Sequence, residues 1–110
     1  MIKHSNYKMF IDDERFPESP DWLIVRNSME CVLAVEYYGF PKEISFDHDL
    51  GYVNGKAHTV MEFLRWVQNK CEDGELIFPH DFKFVVHSQN PVGAKNIQGL
   101  VEKLCEHFQE

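Results

Sequence analysis

Two apolar runs that each end in a burst of carboxylates constrain this chain most: FIDDERFP from Phe10 to Pro17 and ISFDHDLG from Ile44 to Gly51. Apolar-then-acidic is the pattern of a buried strand that delivers acids at its C-terminal end. Two such strands side by side would bring Asp12, Asp13, Asp47 and Asp49 to one sheet edge. In open α/β sheets that edge is where ligands bind, and hard oxygen donors gathered there suit Mg²⁺, or Mn²⁺ in its place. The combination points towards phosphate chemistry.

The rest of the chain reads as alternating strands and helices. Tyr7 to Asp12 and Trp22 to Arg26 are strand-like, with Pro17, Ser19 and Pro20 marking an irregular link between them. Asn27 followed by Glu30 resembles a capping box, and the helix it opens, Ser28 to Tyr38, stops at Gly39 ahead of Pro41. Ile44 to Asp47 is the third strand, and the GYVNGK stretch reads as a loop able to reach over a site. Val60, Leu64, Val67 and Cys71 share one helical face, which predicts a helix from about Ala57 to Cys71. Phe82 to His87 is the fourth strand. Asn90 and Pro91 then cap and open a last helix with Ile97, Leu100, Val101, Leu104 and Phe108 on its buried stripe.

The expected fold class is therefore α/β: a compact, mostly parallel four-stranded sheet flanked by about three helices, in one domain over residues 1–110. One joint is awkward, because the link from Asp13 to Asp21 holds no helix and is short for a parallel crossover.

Charge and cysteine usage narrow the function. The chain carries 11 basic against 18 acidic side chains, a formal net charge of -7, which argues against a basic groove that tracks long nucleic acid. A small anion or the end of a strand remains compatible. Cys31, Cys71 and Cys105 lie far apart, without zinc-ligand spacing, and read as reduced thiols. Neither a membrane-length apolar run nor a signal-peptide core is visible, so a soluble, cytoplasmic protein without membrane contact is expected. Nothing in the pattern sets an oligomeric state.

Several side chains near the acids have matching chemistry. His48 and His87 follow apolar strand residues towards the acidic edge and are the candidate proton carriers, since imidazole exchanges protons at neutral pH. Arg15 directly follows the Asp pair and offers a planar fork to a carboxylate or phosphate. Ser88, Asn90 and the first turn near Gly93, with Lys95 beside it, form a candidate anion-binding helix start. Asp49 is either a fourth ligand or the acid that orients a histidine. His4, His58, His80 and His107 sit in the tail, loops or helices, and the sequence offers no reason to single them out. Tyr52 and Phe16 are the aromatics placed beside the motifs rather than in core positions.

FIDDERFP, ISFDHDLG and VVHSQNPVGAKNI, in that order, resemble the cyclic-phosphate-processing receiver-like domain, a compact relative of the response-regulator receiver with a flavodoxin-like fold. The resemblance implies that Asp12 and Asp13 match the Mg²⁺-binding acidic pair, Asp47 the phosphoacceptor position and Ser88 the hydroxyl residue after the fourth strand. His48, Asp49, His87 and Asn90 belong to the cyclic-phosphate pattern. Two departures from receivers follow. The fifth strand and its lysine have no counterpart in these residues, and the helix after the first strand is replaced by the Pro-containing link.

On this basis the expected function is a metal-dependent phosphoesterase acting on cyclic phosphates of nucleotides or RNA ends, such as a 2′,3′-cyclic phosphate. Asp12, Asp13 and Asp47 would hold the metal, His48, His87 and Asp49 would serve catalysis, and Arg15, Ser88, Asn90, Gly93 and Lys95 would steady the phosphate. Two other functions fit the same residues: a signalling receiver phosphorylated on Asp47, and a non-catalytic cyclic-nucleotide-binding module.

Overall fold

The computed structural model describes all 110 residues, Met1–Glu110. Four short strands, β1 (Lys8–Ile11), β2 (Trp22–Val25), β3 (Glu43–Phe46) and β6 (Lys83–Val86), form an all-parallel sheet in the order β2-β1-β3-β6. A separate antiparallel hairpin joins β4 (Asp49–Val53) to β5 (Lys56–Thr59), and three helices complete the fold: α1 (Ser28–Tyr38), α2 (Met61–Glu72) and α3 (Pro91–His107). No helix is long and apolar enough to cross a membrane. The three cysteines are free, and burial pushes the Cys71 thiol up to about 11.

Helix boundaries follow their caps. Asn27 accepts a hydrogen bond from the Glu30 amide at 2.8 Å, and Glu30 reaches back to the Arg26 amide at 2.7 Å, closing the first turn of α1. Asn90 likewise accepts from the Gly93 amide at 3.0 Å, with Pro91 opening α3. The segment after β3 departs from the loop expected there. Asn54 and Gly55 both have positive φ, 54° and 75°, the backbone of a tight primed turn, so their flanks fold back as β4 and β5. Residues 56–59 are therefore strand, and α2 begins at Met61 instead of Ala57.

All three helices pack on one face of the sheet. The β2-to-β3 and β3-to-β6 connections step in the same direction, so right-handed crossovers put α1 and α2 on the same side, and α3 packs against α2. Met9, Ile11, Ile44 and Phe46 point into that layer, meeting Phe63, Leu64, Val67, Ile97 and Val101 in one buried cluster. The β1-to-β2 step runs the other way, and residues 12–21 make it without a helix. Parallel sheets are usually covered on both faces. Here the second face carries the register rows Lys8–Trp22–Glu43–Lys83 and Phe10–Ile24–Ser45–Val85, and Val85 is 52% exposed. Phe10 is shielded by its own neighbours, stacked on the His87 ring at 4.6 Å and edge-on to Trp22 at 6.2 Å.

The helix-free 12–21 link is held by side chains. Arg26, just past β2, donates one guanidinium nitrogen to the Asp12 carbonyl at 3.0 Å and to the Arg15 carbonyl at 2.7 Å, while the group lies 4.6 Å above the Phe16 ring. Replacing Arg26 leaves two partly buried carbonyls without their donor. Arg26→Met should lower the unfolding free energy by about 1–3 kcal/mol in urea titration, and a change under about 0.5 kcal/mol, the range of neutral surface substitutions, would show that the link holds itself.

Candidate active site at the carboxyl edge of the sheet

The site is built on the register of the strands. Ile11 pairs with Val25 and Phe46, and Phe46 with Val86, so the next residues, Arg26, Asp12, Asp47 and His87, form one row just past the sheet. Backbone bonds continue the row: the Asp12 amide donates to Val25, the Asp47 amide to Ile11 and the His87 amide to Phe46, at 3.1, 3.0 and 2.9 Å.

Asp12 is fully buried, and its carboxylate is surrounded by donors. One oxygen accepts from the Glu14 amide at 3.0 Å and the Arg15 amide at 2.8 Å; the other accepts from Arg15 Nε at 2.8 Å and meets His87 Nε2 at 3.0 Å. Burial alone would push its pKa up. The Arg15 and Glu14 amides, the His87 hydrogen bond and the Arg15 charge outweigh that and hold it below the ordinary carboxylate range. Asp47 is placed differently. Burial, then the neighbouring Asp12 charge, push its pKa up against the pull of the His48 amide, His87 and Arg15. Arg15 spans the two acids, with its other contact 3.6 Å from Asp47 Oδ2.

Both histidines of the motifs are engaged within the protein. His87 is held at Nδ1 by Ser45 Oγ, 2.7 Å away, and at Nε2 by Asp12. His48 pairs through Nδ1 with Asp49 Oδ1 at 3.1 Å, and Asp49 Oδ2 accepts from Asn90 Nδ2 at 3.3 Å. Asp49 therefore orients a histidine. The His48 ring lies over Gly93, where a Cβ would fall 2.3 Å from the ring.

Above this row lies a cleft of about 660 Å³. Of the residues singled out in the sequence, Asp13, Arg15, Asp47, Asp49 and Asn90 line it, and Asp12 sits behind Arg15. His48, His87, Ser88, Gly93 and Lys95 are not among its lining residues. Ser88 Oγ accepts from the Asn90 amide at 3.1 Å, Lys95 is exposed on α3, and the Gly93 and Ala94 amides already donate to Asn90. The β4–β5 hairpin contributes Tyr52, Ala57 and His58 to the cleft, and Gln89 joins from the end of β6. Of these, Tyr52 stands out from its place beside the acidic motif; His58 does not, because its position depends on the hairpin.

Receiver domains bind Mg²⁺ at an acidic pocket, and one atom each of Asp12, Asp47 and His87 lie within 4.8 Å of one another. His87 nitrogen is a poor match for Mg²⁺, which prefers oxygen, and both His87 nitrogens have partners. The oxygens of Asp47 and Asp13 at the cleft fit that cation better. Gly51, with φ 87°, leaves room for Asp13: a Cβ there would sit 3.2 Å from Asp13 Oδ2.

A parallel sheet with a buried acid row at its carboxyl edge defines a receiver-type domain. The sequence-family model for the cyclic-phosphate processing receiver domain matches residues 7–103, and the chain belongs to that family. No curated protein and no solved structure matches it.

The two acids should respond oppositely to substitution, measured in EDTA. Asp12, with its folded pKa lowered, contributes stability above the unfolded carboxylate pKa and loses it as pH falls through the folded value; Asp12→Asn should therefore lower Tm at pH 7, with the deficit shrinking in acid. Asp47, with its folded pKa raised, carries a charge penalty above that raised value, so Asp47→Asn should raise Tm at pH 7 and the gain should fade as pH falls towards the unfolded pKa. Shifts of the same sign in both variants would contradict this electrostatic account.

Gly93→Ala places a methyl where the His48 ring lies. It should cost about 1–3 kcal/mol in denaturant unfolding and displace the His48 ring resonances; retention of both would mean that the ring has another comfortable position.

Proposed function

We propose that this receiver-type domain is a Mg²⁺-dependent (or Mn²⁺-dependent) phosphoesterase that opens cyclic phosphates on nucleotides or RNA ends. The observation that carries the reading is Asp47, a carboxylate made unfavourable as an anion by burial and by Asp12, at the floor of a polar cleft that also takes in Asp13. A divalent cation relieves that charge crowding and keeps both acids ionised. Bound by Asp13 and Asp47, it would supply Lewis acidity towards a phosphoryl oxygen and lower the pKa of water.

The remaining roles belong to the chain. Asp12 acts from behind, fixing Arg15 through two backbone amides and the Nε contact, so that the exposed side of the guanidinium can meet a phosphate. Asn90 and Gln89 add side-chain amides to the lining. Tyr52, 77% exposed on the hairpin and part of the lining, presents a ring on which a nucleobase can stack. The cleft volume lies in the usual range for a small-molecule site, and a net charge of -7 fits a short ligand better than a long strand. No lysine lines the cleft, which favours ester hydrolysis over a receiver's phosphoaspartyl switch.

The test is a panel of 2′,3′- and 3′,5′-cyclic nucleotides and a cyclic-phosphate-ended oligonucleotide, with Mg²⁺, Mn²⁺ or EDTA. The expected results are metal-dependent monoester formation, a metal-induced rise in Tm, and a loss of roughly 10²-fold or more in turnover for Asp13→Asn and Asp47→Asn. A labile phosphate on Asp47 after treatment with a small phosphodonor, without hydrolysis of any panel member, would favour the signalling function; tight nucleotide binding without product would favour the binding module.

A further inference from the structure

Resting on the phosphoesterase reading, we propose that His58, held by Glu62, is the acid that protonates the leaving ribose oxygen in the cleft, with Glu62 as its positioning residue. His58 is the one histidine that lines the cleft. The two histidines of the motifs lie outside the lining: both His87 nitrogens are engaged, by Ser45 and Asp12, and His48 pairs through Nδ1 with Asp49 while its ring packs over Gly93. His58 Nδ1 lies 3.1 Å from Glu62 Oε1. A carboxylate can only accept, so Nδ1 carries the proton and Nε2 is the nitrogen open to a ligand.

The fold brings the pair to this place. The tight Asn54–Gly55 turn returns β5 alongside β4, and the Val60 amide donates to the His48 carbonyl at 2.9 Å, pinning the end of β5 beside the acid row. Glu62 follows in the first turn of α2, four residues from His58. The charged groups sharing the cleft with His58 are Asp13, Glu14 and Arg15 from the 12–21 link and Asp47 and Asp49 from the end of β3 and start of β4. In this acidic cleft Arg15 supplies phosphate contact, and His58 is the one imidazole, the side chain suited to exchange protons at neutral pH.

The step balances with water as co-reactant. Water oxygen bonds to phosphorus, the P–O bond to one ribose oxygen breaks, and His58, entering the step as the imidazolium with its Nδ1 proton held on Glu62, passes its Nε2 proton to that oxygen and is left as the neutral Nδ1–H ring. The proton lost by the water leaves to solvent, from which His58 is reprotonated.

A solvent-facing His–Glu pair contributes little to stability, so His58→Gln should fold with an unchanged Tm and keep its Mg²⁺-induced Tm rise. With 2′,3′-cyclic AMP and Mg²⁺, its kcat should fall by roughly 10²–10⁴-fold, with KM changed less than about 3-fold, the mark of an interaction made in the transition state. His80→Gln is the control, because His80 pairs with Glu110 at 3.4 Å outside the cleft, and it should keep full turnover. In Glu62→Ala the ¹⁵N ring shifts of His58 should lose the Nδ1–H tautomer, and kcat should fall with it. In the wild-type protein, adenosine 3′-monophosphate should shift the His58 ring signals in preference to those of His48 and His87. Wild-type turnover that survives His58→Gln overturns the dyad alone. A wild-type protein that neither hydrolyses the cyclic nucleotide nor shows the His58 shift overturns the phosphoesterase reading and the dyad together.

Discussion

A carboxylate with no exposure to water holds the carboxyl edge of this fold together. Burying an unpaired anion is prohibitive, and Asp12 is buried because every part of its carboxylate has a donor: two amides from the turn that follows, the Arg15 side chain and His87. Those same bonds shape the turn, fix Arg15 between the acids, and lock a histidine two strands away in the row. Removing the charge from Asp12 would therefore loosen three elements at once, whereas removing it from Asp47 relieves a neighbour. Two aspartates side by side on adjacent strands thus have opposite thermodynamic signs, set by how many donors each one faces.

The second constraint is the one-sided sheet. With β1 joined to β2 by a link instead of a helix, the face bearing Phe10, Trp22, Ile24 and Val85 has no helical cover, and its protection comes from side chains lying on one another: His87 over Phe10, Lys8 Nζ 4.6 Å above Trp22. His87 consequently serves two ends. Its ring covers an aromatic of the open face, and its nitrogens connect Ser45 of the sheet to Asp12 of the site. With both nitrogens and one ring face taken up by the protein, His87 is a structural residue of the edge and not an open imidazole.

The strand-end acids were legible because they rest on short-range rules: an apolar run of strand length, a polar break, and parallel neighbours in register. The expected four-strand parallel sheet with three helices is the one observed, with β1, β3 and β6 within a residue or so of the predicted runs. The hairpin was not legible by periodicity. Asp49–Val53 and Lys56–Thr59 expose most of their residues on both sides and show no clean alternation, although Asn54–Gly55 is a recognisable turn signal between them. Missing the hairpin meant missing His58, whose place in the cleft depends on the strand folding back. The hydrogen-bond partners of His48 and His87 were equally out of reach, because sequence positions a histidine without saying what its nitrogens touch.

Arg15 is the one permanent cation that lines the cleft. A guanidinium keeps its charge at any accessible pH and presents several donors in one plane, so it can neutralise the buried Asp12 with Nε and still turn another nitrogen towards Asp47 or a phosphate. A lysine, a single point charge, would have to choose. With Asp12 thus satisfied from within the protein and Asp49 paired with His48 and Asn90, the carboxylates of Asp13, Glu14 and Asp47 remain at the cleft. Mg²⁺ ordinarily takes only one or two carboxylates from protein and keeps its remaining positions for water and phosphate. The division between a carboxylate that organises the edge and carboxylates that face the cleft follows from one arginine placed three residues after Asp12, and it separates this site from an undifferentiated acidic cluster.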